Sequence, residues 1–194
     1  MINKESNTDG VMPKPTFDSR VQSISIAELL CSLNEYTEDD LRDRYPWASN
    51  FVCGMPLAEW QRPVVWDTEK QQKFIDSIWR GVDLGSYMVN SWWHVVDNNG
   101  STAPLSDIVL DGQQRLTSIE NYVSNKFACQ AADGNMLYYK DLPKVDITRF
   151  KSTRFARASV HSDNEMLLRE AYDLRNFTGV AHTDDQRALP RIKP

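Results

Sequence analysis

The residues with the most chemistry to offer lie in "DIVLDGQQRLT", positions 107–117. An apolar run ends in Asp111, and Gly112 follows. Gln113, Gln114 and Arg115 then open a segment whose apolar residues, Leu116, Ile119, Tyr122 and Val123, recur at helical spacing. A glycine lets the backbone turn sharply or approach a ligand closely. The free N–H groups and dipole of a helix start favour an anion. Arg115 adds a planar, permanently charged fork suited to phosphate. Asp111 falls at the C-terminal end of a strand, where α/β folds place their ligands. These residue types suit phosphate binding, metal–phosphate binding, or orientation of a nucleophile. They also suit a plainer arrangement, with Asp111 as a helix cap and Arg115 on the surface. Neither a GxxxxGK[ST] loop nor a GxGxxG fingerprint occurs in the chain.

The elements that must hold this turn can be read around it. Residues 23–33 have helical spacing at Ile26, Leu29, Leu30 and Leu33, and 37–45 follow as a helix capped by Thr37. Residues 50–57 read as a short strand or loop. Residues 59–66 read as extended, because Pro63 forbids a helix interior there. Residues 67–81 give the clearest helix, with Asp67 as cap, a Glu69–Lys73 pair and Gly81 at its end. Residues 84–96 are rich in aromatic and β-branched types and predict a strand, and 97–106 form a turn cluster. A strand over 135–142, a helix over 164–177 and a short helix after Thr183 complete the pattern. Trp66 and Trp79 are expected in the core. Trp92 and Trp93 would face opposite sides of a strand.

The chain has 194 residues, 41% of them apolar and 25% charged, which suits a globular protein with one domain. We expect an N-terminal arm over residues 1–20 and a single domain over 21–194. The alternation of strands and helices predicts a compact α+β (α/β-like) domain with a small mixed sheet surrounded by helices. No apolar run approaches the ~20 residues of a membrane span, and no hydrophobic secretory segment opens the chain. The expectation is a cytoplasmic protein. The 3 cysteines, Cys31, Cys53 and Cys129, have no metal-binding spacing and read as reduced thiols. His94 and His161 also lack partners at metal spacing. A net charge of −5 does not suit a protein that coats nucleic acid. "RFKSTRFARA" (149–158) is the best local basic patch, and it also reads as an amphipathic edge with a solvated basic face.

"IVLDGQQRLTSI" resembles the signature of the DGQQR-motif domains. That family belongs to the ParB/sulfiredoxin superfamily and forms the N-terminal domain of GmrSD-type modification-dependent restriction enzymes. Two further blocks carry the resemblance. "WQRPVVWDTEKQQKFIDSIWRGVDLGSYMV" (60–89) is similar to the family's opening element, and "LREAYDLRNFTGVAHTDDQRA" (168–188) to its closing one. The three blocks stand in the family's order across about residues 50–190. The chain departs from the pattern at Asp83-Leu84-Gly85, where many relatives have Pro-Ile-Gly. It also lacks an HNH nuclease motif, which many relatives carry in a long C-terminal extension.

The resemblance implies a ParB/sulfiredoxin-like fold and phosphoryl chemistry with an NTP, either ATP or GTP, with Mg2+. Asp111 would be the catalytic acid or the metal-facing carboxylate. Gly112, with the backbone amides of Gln113 and Gln114, would cradle phosphate, and Arg115 would clamp phosphoryl oxygens. Gln61 and Arg62 would converge on the same pocket. Asn176 and His182 would line its opposite wall, His182 as an acid–base group. The implied protein is an NTPase, or a kinase phosphorylating a hydroxymethylated base, with DNA as partner and no membrane. A metal-dependent nuclease and a non-catalytic DNA- or protein-binding module are the alternatives.

Overall fold

The computed structural model describes Met12 and residues 14–176. Strand β1 (Arg20–Ser25) leads into two short helical segments, α1 (Ile26–Leu29) and α2 (Cys31–Glu35). Ser25 caps α1 through a capping box with Glu28, and Thr37 caps α3 (Glu38–Arg44) through one with Asp40. A tight hairpin joins β2 (Phe51–Val52) to β3 (Met55–Pro56). Asp67 caps α4 (Thr68–Trp79), and Gly81 ends that element with a positive φ. Then come β4 (Ser86–Asn90), β5 (Val109–Asp111) and α5 (Gln113–Val123). The hairpin of β6 (Cys129–Gln130) and β7 (Met136–Leu137) precedes a 3-10 turn at Tyr139–Asp141. Helix α6 (Lys144–Ser152), strand β8 (Arg154–Val160) and helix α7 (Glu165–Asn176) complete the described chain.

The main sheet runs β1-β8-β4-β5. Strand β8 pairs antiparallel with β1 and parallel with β4, whereas β4 and β5 are antiparallel, so the sheet is mixed. Side chains alternate faces along each strand. Tyr87, Val89 and Phe155 meet Ile75 and Ile78 of α4 and Leu116, Ile119 and Tyr122 of α5 on one face. Met88, Leu110, Ala158 and Val160 meet Leu168 and Ala171 of α7 on the other. A sheet covered by helices on both faces is the α+β arrangement expected from the sequence. It brings the end of β5, the start of α5 and the end of α7 together.

Four segments differ from the sequence reading. Residues 20–25 form a strand, where a helix was expected from 23 onward, because they pair along β8 at the sheet edge. The predicted strand over 84–96 stops at Asn90. This buried amide donates to the carbonyls of Leu105 and Ser162, both at 2.8 Å, and pulls the chain out of the sheet. Trp92 and Trp93 therefore lie beyond the strand, and Trp93 is exposed. The 135–142 strand shrinks to two residues before the 3-10 turn. The "RFKSTRFARA" segment is no edge: it is the end of α6 and the first part of β8, an interior strand with Phe150 and Phe155 buried. Its cations lean on neighbours instead, Arg154 on Glu28 and Arg149 over the ring of Trp79. His182 and the helix expected after Thr183 lie outside the described residues.

Candidate functional site

The turn between β5 and α5 is set by Gly112. Its φ of 97° is left-handed. A Cβ built there would lie 2.5 Å from Tyr87 Cβ and 3.0 Å from Tyr87 Cα. Only glycine lets the turn lie against β4. Gly112 is also the N-cap of α5, and no side chain caps that end. The first-turn amides thus keep open the N–H groups that a cap would otherwise satisfy.

Asp111, the last residue of β5, and Arg115, in the first turn of α5, meet across the Gly112 turn. Arg115 Nη2 donates to Asp111 Oδ2 at 3.3 Å. Its fork also donates to the carbonyls of Leu84 (2.8 Å) and Ser86 (2.9 Å), and the guanidinium lies over the ring of Phe155. Arg115 is thereby a staple from α5 to the entry of β4. Burial lowers its pKa, which the carboxylate of Asp111 opposes and the nearby Arg175 reinforces.

Arg175 is the residue that sequence reasoning missed. It reaches from α7, donates from Nε to Asp111 Oδ2 at 2.6 Å, and also binds the hydroxyl of Ser86 at 2.8 Å. Asp111 therefore faces two guanidinium groups. The available signal was the position of Arg175 directly before Asn176 in the closing block.

Gln114 is likewise engaged in the fold. Its Oε1 accepts from the N–H groups of Val65 (2.9 Å) and Trp66 (3.0 Å), and its Nε2 donates to Pro63 O at 3.1 Å. Three bonds hold the extended 63–66 segment beside α5. Leu57 forms a parallel bridge with Val109, which brings the chain past Ala58 along β5. Gln61 Nε2 then donates to the carbonyl of Val109. Arg62 is exposed and forms no ion pair among the described residues.

These residues enclose a cavity of about 150 Å³. Asp111, Gly112, Gln113, Gln114 and Arg115 form its floor; Gln61, Arg62 and Trp66 form one wall and Tyr172 and Asn176 another. The structure thus brings together every candidate site residue except His182. Asn176 turns its own amide back to the Tyr172 carbonyl at 2.9 Å. Trp66, expected in the core, is half-buried at the rim and packs on Phe74.

Mg2+ at nucleotide sites takes one or two carboxylates together with the substrate's phosphates, and the described residues offer it one, Asp111. Among the described residues no three His, Cys, Asp or Glu side chains cluster as metal ligands. Asp111 is the sole carboxylate lining the cavity among the described residues, and its Oδ2 already faces two arginines.

Among the described residues, no helix is long and apolar enough to cross a membrane. No curated protein and no solved structure matches the chain. One domain family does: that of the N-terminal domain of the GmrSD restriction endonuclease, over residues 53–188. The match takes in the turn, the extended wall and α7, and the chain belongs to this family of DNA restriction enzyme domains.

Proposed function

We propose that the cavity binds the phosphate end of a nucleoside triphosphate and that the chain is an NTP-dependent phosphoryl-transfer enzyme acting in DNA restriction or modification. The observation that carries this reading is the uncapped N-terminus of α5, which opens into a cavity beside Arg62, an exposed arginine with no ion pair among the described residues. Open first-turn amides and a free guanidinium are complementary to phosphoryl oxygens. Arg115 and Arg175 supply further positive charge but spend donors on the fold, so Arg62 is the cation with most freedom to follow a ligand.

In the transfer step, an oxygen nucleophile bonds to the terminal phosphorus and the bond to the nucleoside diphosphate breaks. The nucleophile's proton passes to a carboxylate oxygen or to solvent. Asp111 has Oδ1 unengaged among the described residues, and His182 is the other candidate for that proton. Water as nucleophile gives an NTPase; a hydroxymethylated base gives a DNA kinase. The test is turnover of ATP and GTP labelled on the terminal phosphate, with and without hydroxymethylated DNA. Label on DNA supports the kinase, and label in free phosphate supports the NTPase. Label that stays on the nucleotide under both conditions overturns both.

A second reading is a DNA- or protein-binding module without chemistry. It is favoured by one observation: Asp111, Gln114 and Arg115 all hold backbone or side chains of the fold. Binding of nucleotide or DNA without turnover would select it. A metal-dependent nuclease finds less support, because several carboxylates are wanted at such a site and the cavity holds one among the described residues.

A further inference from the structure

A second groove, of about 490 Å³, adjoins the cavity and shares Gln61, Arg62 and Gln113 with it. One wall is a single face of α5: Gln113, Thr117, Glu120 and Asn121 stand at i, i+4, i+7 and i+8. The other wall is the extended chain from Leu57 to Val64, which Gln114 and the Leu57–Val109 bridge hold in place. The first cavity is smaller than the roughly 300–1,000 Å³ usual for small-molecule sites, and the groove falls within that range.

Beside the cations of Arg62 and Lys126, the groove presents three side-chain acceptors. Gln61 Oε1 is buried and has no hydrogen-bond partner among the described residues. Its orientation is fixed, because Nε2 donates to the Val109 carbonyl and the flipped amide would set two oxygens against each other. Glu120 uses Oε2 on the N–H of Cys53, which leaves Oε1. Asn121 uses Nδ2 on Gln71 Oε1 at 2.9 Å, which leaves its own oxygen. A buried acceptor needs a donor, and phosphoryl oxygens at neutral pH offer none. Ribose hydroxyls and the N–H groups of a base edge do.

We propose that the groove is the nucleoside subsite of the same ligand: the ribose and base lie along α5 past Thr117, and Gln61 accepts from a ribose or base donor at the junction. This inference rests on the phosphate reading of the first cavity. Substitutions at Thr117, which lies in the groove and outside the first cavity, separate the two.

The experiment is calorimetric binding of ATP, GTP and inorganic tripolyphosphate to the full chain, for wild type, Thr117→Tyr, Thr117→Val and Arg62→Ala, with circular dichroism to check folding. Wild type is expected to bind one of the nucleotides at least tenfold more tightly than tripolyphosphate. Thr117→Tyr, which fills the groove, should remove that advantage and leave tripolyphosphate binding within twofold. If Thr117→Tyr misfolds, Thr117→Val supplies the comparison, with a loss of threefold or more expected on the nucleotide alone. Equal binding of nucleotide and tripolyphosphate by wild type overturns the subsite and leaves the phosphate cavity standing. So does nucleotide binding unchanged in a folded Thr117→Tyr. Failure of tripolyphosphate to bind wild type, or binding unaffected by Arg62→Ala, overturns the phosphate reading itself. Displacement of single-stranded DNA, rather than nucleotide, by Thr117→Tyr would assign the groove to nucleic acid and overturn the nucleoside assignment.

Discussion

Arg175 Nε lies 2.6 Å from Asp111 Oδ2, so the last described turn of α7 is tied to the end of β5. The two side chains are 29% and 19% exposed. The pair is shielded enough to matter and wet enough to escape a full desolvation cost. Arg175 also reaches Ser86, so a single side chain joins α7, β5 and the start of β4. Arg175→Ala should lower stability by about 1–2 kcal/mol, measured by urea denaturation. A double-mutant cycle with Asp111→Ala should show a coupling of ~1 kcal/mol or more. Additive effects would mean that the contact is not made in solution.

Arg62 should behave in the opposite way. It is exposed and has no ion-pair partner among the described residues. Arg62→Ala should leave stability within about 0.5 kcal/mol of wild type. Tripolyphosphate binding should weaken roughly tenfold or more, the scale of one lost charge-assisted contact. Titration at two salt concentrations would show a shallower salt dependence in the variant.

Gly112 is restricted twice over, by its left-handed backbone and by Tyr87. Neither Tyr87 Cβ nor the backbone Cα behind it can swing aside as a long side chain could. Gly112→Ala should therefore cost about 2–4 kcal/mol, with a matching fall in denaturation midpoint. A stable Gly112→Ala variant would show that β5 and β4 can separate at this turn.

The sequence made the turn legible because its signals are local. A glycine after a short apolar run, followed by helical spacing, leaves few alternatives. Capping by Thr37 and Asp67 and the Glu69–Lys73 pair were readable for the same reason. The strands at 20–25 and 154–160 were not, since Arg20–Ser25 exposes most of its residues and β8 mixes arginines with buried aromatics. Their pairing is a long-range property, fixed by register between distant segments. The roles of Gln114 and Arg115 were hidden in the same way. Their types suggested ligand contacts, and only the fold shows that their hydrogen bonds go to residues 63–66 and 84–86. Arg175 could be recognised only once α7 was seen to end at β5.

Gln114→Ala should loosen the wall of the cavity without removing a group aimed at the ligand. Two backbone N–H groups and one carbonyl lose their partner. The expected cost is about 1–3 kcal/mol, and amide exchange at Val65 and Trp66 should accelerate by tenfold or more. Slow exchange at those two amides in the variant would show that the segment is held by something other than Gln114.

Alkaline stability follows from the buried thiol and phenol groups. Burial pushes Cys129 from 9.0 up to about 12 and Tyr122 from 10.0 up to about 12. Burial also raises Cys53, Tyr45 and Tyr87. Each is held in its neutral, protonated form by the fold. Above the ordinary pKa the unfolded chain loses these protons while the folded chain keeps them, so the unfolded state binds fewer protons and unfolding becomes more favourable. Stability from these groups is complete below about pH 8.5 and should fall steadily as pH rises from 9 toward 12. Thiol labelling at pH 8 gives the companion measurement: Cys31 is exposed, whereas Cys53 and Cys129 are buried. One thiol should react rapidly in the native protein and the other two only after urea is added. Rapid labelling of all three without denaturant would place Cys53 and Cys129 at the surface and remove the basis for the alkaline transition.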